Sequence, residues 1–238
     1  MDKLKFTKDV EITPVMKDIY RRLRTNIEFT GADNKVICVT SCRENDGKST
    51  VSYFLARSFA ENGKRVLLMD ADLRNSIMRD YLGYDGHYNG LSHFLAGKCE
   101  LGSVMYSTDY PNFYIIPSGR FPNNPTELLG KQIMGDLIKA VRKAFDYVIV
   151  DTPPLGAVID TAVVAKNCDG SILVVSSGNV DRKNAMAVKR QLMQANRNLI
   201  GVVLNKMPNG GVYSKHYGYG AYGGYGAYGG YGGYGGNE

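Results

Sequence analysis

Apolar residues in this chain come in short unbroken runs rather than in strict alternation with polar ones. From Lys35 onward the runs are VICVT, VLLMD, FYIIP, YVIVD, SILVV and IGVVLN, and segments of helical length separate most of them. A strand apolar on both faces must be covered on both, and an intervening helix lets consecutive strands run the same way. The pattern predicts an α/β fold, a parallel sheet with helices on both faces. One helix is predicted from Lys48 to about Asn62. Another begins near Pro125, where Asn124 can cap it and Glu127 stands three residues after the cap. Residues 73–112, rich in glycine and tyrosine, are expected to hold short helices beside the site. Upstream of the sheet, Thr13 and Pro14 read as an N-cap and first helical residue. Val15, Ile19, Leu23 and Ile27 then recur every four positions, predicting an amphipathic helix that ends near Gly31.

The pattern stops in the last two dozen residues, YSKHYGYGAYGGYGAYGGYGGYGG. This segment lacks aliphatic side chains, and each glycine adds backbone entropy that folding would have to overcome, so it is expected to be disordered. It presents eight phenols: Tyr213, Tyr217, Tyr219, Tyr222, Tyr225, Tyr228, Tyr231 and Tyr234. The chain therefore divides into an N-terminal arm and helix (1–34), a sheet domain (35–212) and the tyrosine-rich tail (213–238). One domain of ordinary size is the expectation for the remainder of the 238 residues.

Composition narrows the function. Four cysteines and three histidines lack zinc-site or CxxC spacing, so structural metal and disulfides are not expected. The formal charge of +6 is diffuse, and its densest cluster, Arg21, Arg22 and Arg24, lies on the predicted N-terminal helix, so no nucleic-acid partner is expected. The chain has no apolar run long enough to span a membrane and no signal-like N-terminus, from which a cytosolic protein is expected.

Three motifs carry chemistry. SCRENDGKST lies between a predicted strand and a predicted helix, where a phosphate-binding loop belongs. Lys48 would reach terminal phosphates, Ser49 would ligate Mg2+, and backbone N–H groups around Asp46, Gly47 and Thr50 would hold phosphate oxygens at the helix start. The strict motif fails at its first glycine, which is Cys42 here. Glu44 and Asp46 add negative charge beside an anion site, so they must point away or be neutralised. VLLMDADLR brings Asp70 and Asp72 to the end of a buried strand, where such acids can organise Mg2+ or accept a proton. YVIVDTPP ends another strand in Asp151, a Walker B acid placed to hold Mg2+ directly or through water. Open parallel sheets bind ligands at the carboxyl ends of their strands, so loop and acids are expected to converge.

These motifs, the terminal tyrosines and the segment FYIIPSGRFPNNPTELL together resemble the bacterial tyrosine kinases of capsule and exopolysaccharide synthesis, in their cytoplasmic-subunit form. The resemblance implies an ATP- and Mg2+-dependent protein-tyrosine kinase that autophosphorylates its tail. It assigns Lys48 to the Walker A lysine, Ser49 and Asp151 to the metal, Asp70 to the base for the incoming tyrosine and Asp72 to its catalytic companion. It also implies a ring of subunits joined through an N-terminal helix, matched here by Asp18, Arg21 and Arg24, with Asp18 one methylene shorter than the usual glutamate. Asp18 could instead pair within its own helix with Arg21 or Arg22. The implied partner is a transmembrane activator of the polysaccharide co-polymerase type, which recruits the kinase to the inner face of the membrane. A division-site or chromosome-partitioning ATPase of the same P-loop branch is the alternative. Such proteins carry a signature lysine at the position of Arg43, and the tyrosine-rich tail argues against them.

Overall fold

The six apolar runs are parallel strands of a seven-stranded sheet in the computed structural model, which describes residues 2–8, 11–83 and 88–208. Met1–Lys206 forms one compact unit, separate from Met207–Glu238. The tail tyrosines lie outside the described residues.

The strands are β1 (Val36–Ser41), β2 (Val66–Asp70), β3 (Tyr106–Ser107), β4 (Phe113–Ile116), β5 (Tyr147–Asp151), β6 (Gly170–Ser176) and β7 (Leu199–Asn205). The helices are α1 (Pro14–Glu28), α2 (Lys48–Glu61), α3 (Met78–Leu82), α4 (Leu91–Leu95), α5 (Pro125–Gly130), α6 (Gln132–Ala144), α7 (Asp160–Ala165) and α8 (Arg182–Ala195). In space the strands run β3-β4-β2-β5-β1-β6-β7, and every pair is parallel except β3 with β4. β2, β5 and β1 are thus adjacent, so the three motif-bearing strand ends share one edge.

Both faces of the sheet are covered, as the unbroken apolar runs require. Ile37, Val39, Leu68 and Ile149 pack with Phe54 and Phe59 of α2 on one side. Leu67, Met69, Val148 and Val150 pack with Leu137, Ile138 and Val141 of α6 on the other. α2 is nearly all buried because α1 forms a further layer over it, with Tyr20 and Phe54 ring centroids 5.1 Å apart.

The first helix starts as expected, with the Thr13 hydroxyl accepting from Met16 N–H at 3.2 Å, but its buried face is not the four-residue stripe. Val15 and Ile19 are 70% and 53% exposed, whereas Met16, Tyr20, Leu23 and Ile27 face the core. A strict step of four overshoots a turn of 3.6 residues by about 40° each time, so such a stripe spirals off the contact face. The helix predicted at Pro125 is two helices, because Gly130 ends α5 and Lys131 adopts an extended ψ of 150° before α6. Asn124 does not cap the backbone; its amide donates to Glu127 Oε2 at 2.6 Å. The short helices expected in 73–112 are α3 and α4, joined by a 3-10 turn at Leu101–Ser103 and by the unpredicted antiparallel strand β3. The N-terminal arm covers that edge: Leu4 N–H donates to Ser107 O at 2.9 Å, and the Leu4 side chain is fully buried.

Candidate active site

The loop between β1 and α2 turns sharply on two left-handed residues, Asn45 (φ 62°) and Gly47 (φ 92°). Gly47 is needed twice over: a Cβ there would strain the backbone and sit 2.1 Å from Asn205 Nδ2. Cys42, in place of the usual first glycine, is buried and is not among the left-handed residues, so an ordinary side chain is accommodated. Burial, with Asp46 nearby, pushes its thiol up to about 11, which leaves it unreactive. Asp46 is also buried, and its carboxylate accepts the Arg43 N–H at 2.8 Å. It braces the loop and is engaged there, while Glu44 is exposed. The end of β7 completes the support, with Asn205 Nδ2 donating to Asp46 O at 2.9 Å and Lys206 Nζ donating to Asn45 O.

Lys48 opens α2 and lies over the strand ends. Its ammonium donates to Asp72 Oδ2 at 2.9 Å and to Ser49 Oγ at 3.2 Å, and stands 3.9 Å from Asp151 Oδ2. Burial alone would lower the Lys48 pKa, but Asp151 and Asp72 outweigh it and the net shift is upward, so the amine stays charged. Ser52, one turn into α2, donates to Asp151 Oδ1 at 3.0 Å. Asp70 pairs in register with Asp151, accepts from the Ser76 hydroxyl, and takes the Asp72 N–H at 3.2 Å. It is fully buried, and desolvation followed by repulsion from Asp151 pushes its carboxyl up to about 7. A carboxyl poised near neutrality can take a proton from a reacting hydroxyl. Desolvation also raises Asp151.

Lys48, Ser49, Asp70, Asp72 and Asp151 are thus brought together, with Gly47 and Thr50 on the wall of a cavity of about 240 Å3 beside them. Asp72 and Asp151 share one ammonium and Asp70 lies beside them, an oxygen-rich and electron-rich cluster suited to a hard divalent cation. No group of three or more His, Cys, Asp or Glu among the described residues forms a protein-only metal cage. Mg2+ seldom needs one, since it takes one or two carboxylates along with phosphate and water oxygens.

Two site residues carried no warning in the sequence. Asp160 is fully buried at the start of α7, where an isolated Asp reads as an ordinary helix-start residue, yet it grips Arg74 twice, at 2.6 and 3.1 Å, and accepts from Thr126 at 2.5 Å. The pair ties the loop after β2 to α5 and α7. Ser76 is the second, orienting Asp70.

The helix residues are less uniform. Asp18 pairs with Arg22 at 2.9 Å within α1, and Arg24 turns inward to donate to Ser58 O at 2.9 Å. Arg21 is exposed. Arg43 is held by Asn179 O at 2.9 Å and lies 3.9 Å from Asp181. Among the described residues no helix is long and apolar enough to cross a membrane.

An AAA-domain family profile matches residues 34–192. The tyrosine-protein kinase CpsD of Streptococcus agalactiae serotype III (strain NEM316) is 41% identical over 191 residues, which is 80% of this chain and 82% of the relative. The kinase domain of the Escherichia coli tyrosine kinase ETK superposes with a TM-score of 0.76 and 36% identity, covering 80% of this chain and 75% of that one. The septum site-determining protein MinD of Pyrococcus horikoshii OT3, solved with Mg-ADP, is more distant: TM-score 0.62, 26% identity, 71% of this chain and 69% of that one. Sequence and fold agree on the kinase side of this branch, and the chain belongs to the bacterial tyrosine kinase family of capsule and exopolysaccharide synthesis.

Proposed function

We propose that this chain transfers the γ-phosphoryl group of ATP to tyrosines of its own C-terminal segment, and so regulates polysaccharide synthesis and export. The observation that carries the reading is Asp70: a fully buried carboxyl directly opposite Asp151 on the neighbouring strand, with its pKa pushed up to about 7. The P-loop N–H groups and Lys48 hold the β- and γ-phosphates. Ser49 and Asp151 would hold Mg2+, which when bound would neutralise phosphate charge. Asp70 takes the phenolic proton as the tyrosine oxygen attacks phosphorus, and Ser76 fixes the carboxylate. Asp72 positions Lys48 and, through its own N–H, Asp70.

β7 ends against the P-loop, so the chain leaves the domain beside the site. A glycine-rich segment of about 25 residues spans roughly 25–30 Å, enough for its own site or a neighbour's. We infer transfer between subunits of a ring assembled through α1, with tethering raising the local tyrosine concentration toward about millimolar. A separate transmembrane activator would bring the assembly to the membrane.

A chain ending at Gly211 tests this reading. It keeps every strand and site residue, so it should bind Mg-ADP in isothermal titration and label the tail of a Lys48→Met chain mixed with it. An unlabelled tail would refute transfer between subunits, and ATP turnover without phosphotyrosine in the parent would favour the partitioning-type switch.

A further inference from the structure

A larger cavity, about 750 Å3, opens on the far side of the loop after β2. It shares Asn75 with the nucleotide-side cavity and includes Ser76, whose hydroxyl donates to Asp70, so the two spaces adjoin at the loop after β2. One wall is α3 with Arg79; another is the turn after β4, from Pro117 to Phe121, which contributes Arg120. Ile116 lies opposite Met69 in the sheet, so this turn emerges at the same edge as Asp70. The turn is held tightly: Leu91 and Ser92 N–H groups donate to Pro117 O and Ser118 O at 2.7 and 2.9 Å. A Cβ on Gly90 would meet Gly119 N at 2.3 Å.

The cavity is cationic. Lys8, Arg79 and Arg120 line it, against Asp80 as the acid among its described residues. Lys8 is engaged, donating to Asp80 O at 2.6 Å. Arg79 and Arg120 are exposed, and their guanidinium groups make no hydrogen bond or ion pair with the described residues. Two unspent guanidinium groups beside a phosphoryl-transfer site are suited to a phosphate dianion, which they can grip bidentately.

The tail has a regular period. Tyr219, Tyr222, Tyr225, Tyr228, Tyr231 and Tyr234 recur every third residue. In an extended polyproline-II conformation, which has three residues per turn and a rise of about 3.1 Å, these phenols lie on one face about 9 Å apart. Advancing the segment by one turn replaces one tyrosine by the next.

We propose that this cavity binds a phosphotyrosine of the tail through Arg79 and Arg120, one turn from the tyrosine presented to Asp70, so that each transfer docks the segment for the next. The inference rests on the kinase reading above. In each transfer the phenolic oxygen bonds to the γ-phosphorus, the bond from phosphorus to the β-phosphate oxygen breaks, ADP leaves with the electron pair, and the phenolic proton passes to Asp70. The new dianion is repelled by the remaining phosphates and the acidic cluster. A shift of three residues moves it toward the guanidinium groups and brings a neutral phenol to the base.

Intact-mass spectra of the full chain taken during incubation with Mg-ATP test the proposal. The parent should show multiply phosphorylated chains while most of the population is still unmodified. In Arg79→Ala/Arg120→Ala the first phosphate should enter at the parent rate, because both residues are exposed and have no partner among the described residues, and circular dichroism should be unchanged. Later transfers should then slow about tenfold relative to the first, so that singly labelled chains accumulate. Arg79→Lys/Arg120→Lys, which keeps the charge, should fall between the two. A statistical ladder in the parent, an alanine variant indistinguishable from it, or equal slowing of first and later transfers would overturn the proposal. Absence of phosphotyrosine from the parent would instead refute the kinase reading beneath it.

Discussion

At the scale of single residues, the site is two buried acids held by Lys48, with a third, Asp70, held by Ser76. Lys48→Met should abolish phosphotyrosine by removing the charge placed to meet phosphate; it also removes the cation beside Asp72 and Asp151, so circular dichroism accompanies the assay. Full activity in an antiphosphotyrosine blot would remove Lys48 from the site. Asp70→Asn should keep most nucleotide affinity and lose transfer. It also has a signature in stability. The Asp70 carboxyl ionises near 3.8 when unfolded and about 7 when folded, so the folded state binds the extra proton between those values and stability falls as pH rises through that window. The burden is complete above about pH 7. Metal-free Asp70→Asn should therefore melt above the parent at pH 8, with the gap narrowing at pH 5. A constant offset across that range would contradict the buried, elevated carboxyl.

At the scale of elements, what was legible in the sequence follows the strength of the physical demand. Parallel strands buried on both faces leave unbroken apolar runs, and GKST between strand and helix marks a strand end, so the sheet and the convergence of Lys48, Ser49, Asp70, Asp72 and Asp151 at one edge were readable. α1 was readable as a helix but not by its face, because four-residue spacing drifts around the cylinder. The β3 edge is two residues long and leaves no period. Asp160 and Ser76 act through partners 86 and 6 residues away in sequence, respectively, and nothing local marks the longer link. The outward face of α1 yields its own prediction. Val15, Asp18, Ile19 and Arg22 follow helical spacing on that side, whereas Arg24 serves the domain itself. Val15→Glu/Ile19→Glu should dissociate the assembly with monomer stability changed by no more than about 0.5 kcal/mol. Arg24→Ala should instead cost roughly 1 kcal/mol of folding stability. Sedimentation and urea melts distinguish these outcomes, and an assembly untouched by the double substitution would remove this face from the interface.

At the scale of the whole molecule, the proposed reaction changes the sign of the formal charge. Each phosphotyrosine adds about 1.5 to 2 negative charges, so eight would add roughly 12 to 16. The formal balance of +6 would become about 6 to 10 negative; in the proposed ring this charge would fall on neighbouring tails, whose repulsion is screened only beyond about 8 Å. The Lys48→Met protein should therefore assemble and the fully phosphorylated protein should be monomeric. Equal masses by light scattering at matched concentration and salt would exclude this release. The central claim remains the chemistry, and it is tested most directly by following ADP formation and mapping phosphotyrosine by mass spectrometry on the purified full chain with Mg-ATP. The predicted result is phosphate on the tyrosines between Tyr213 and Tyr234, at close to one per ADP released, and none on Lys48→Met. ADP accumulating without phosphotyrosine would contradict it.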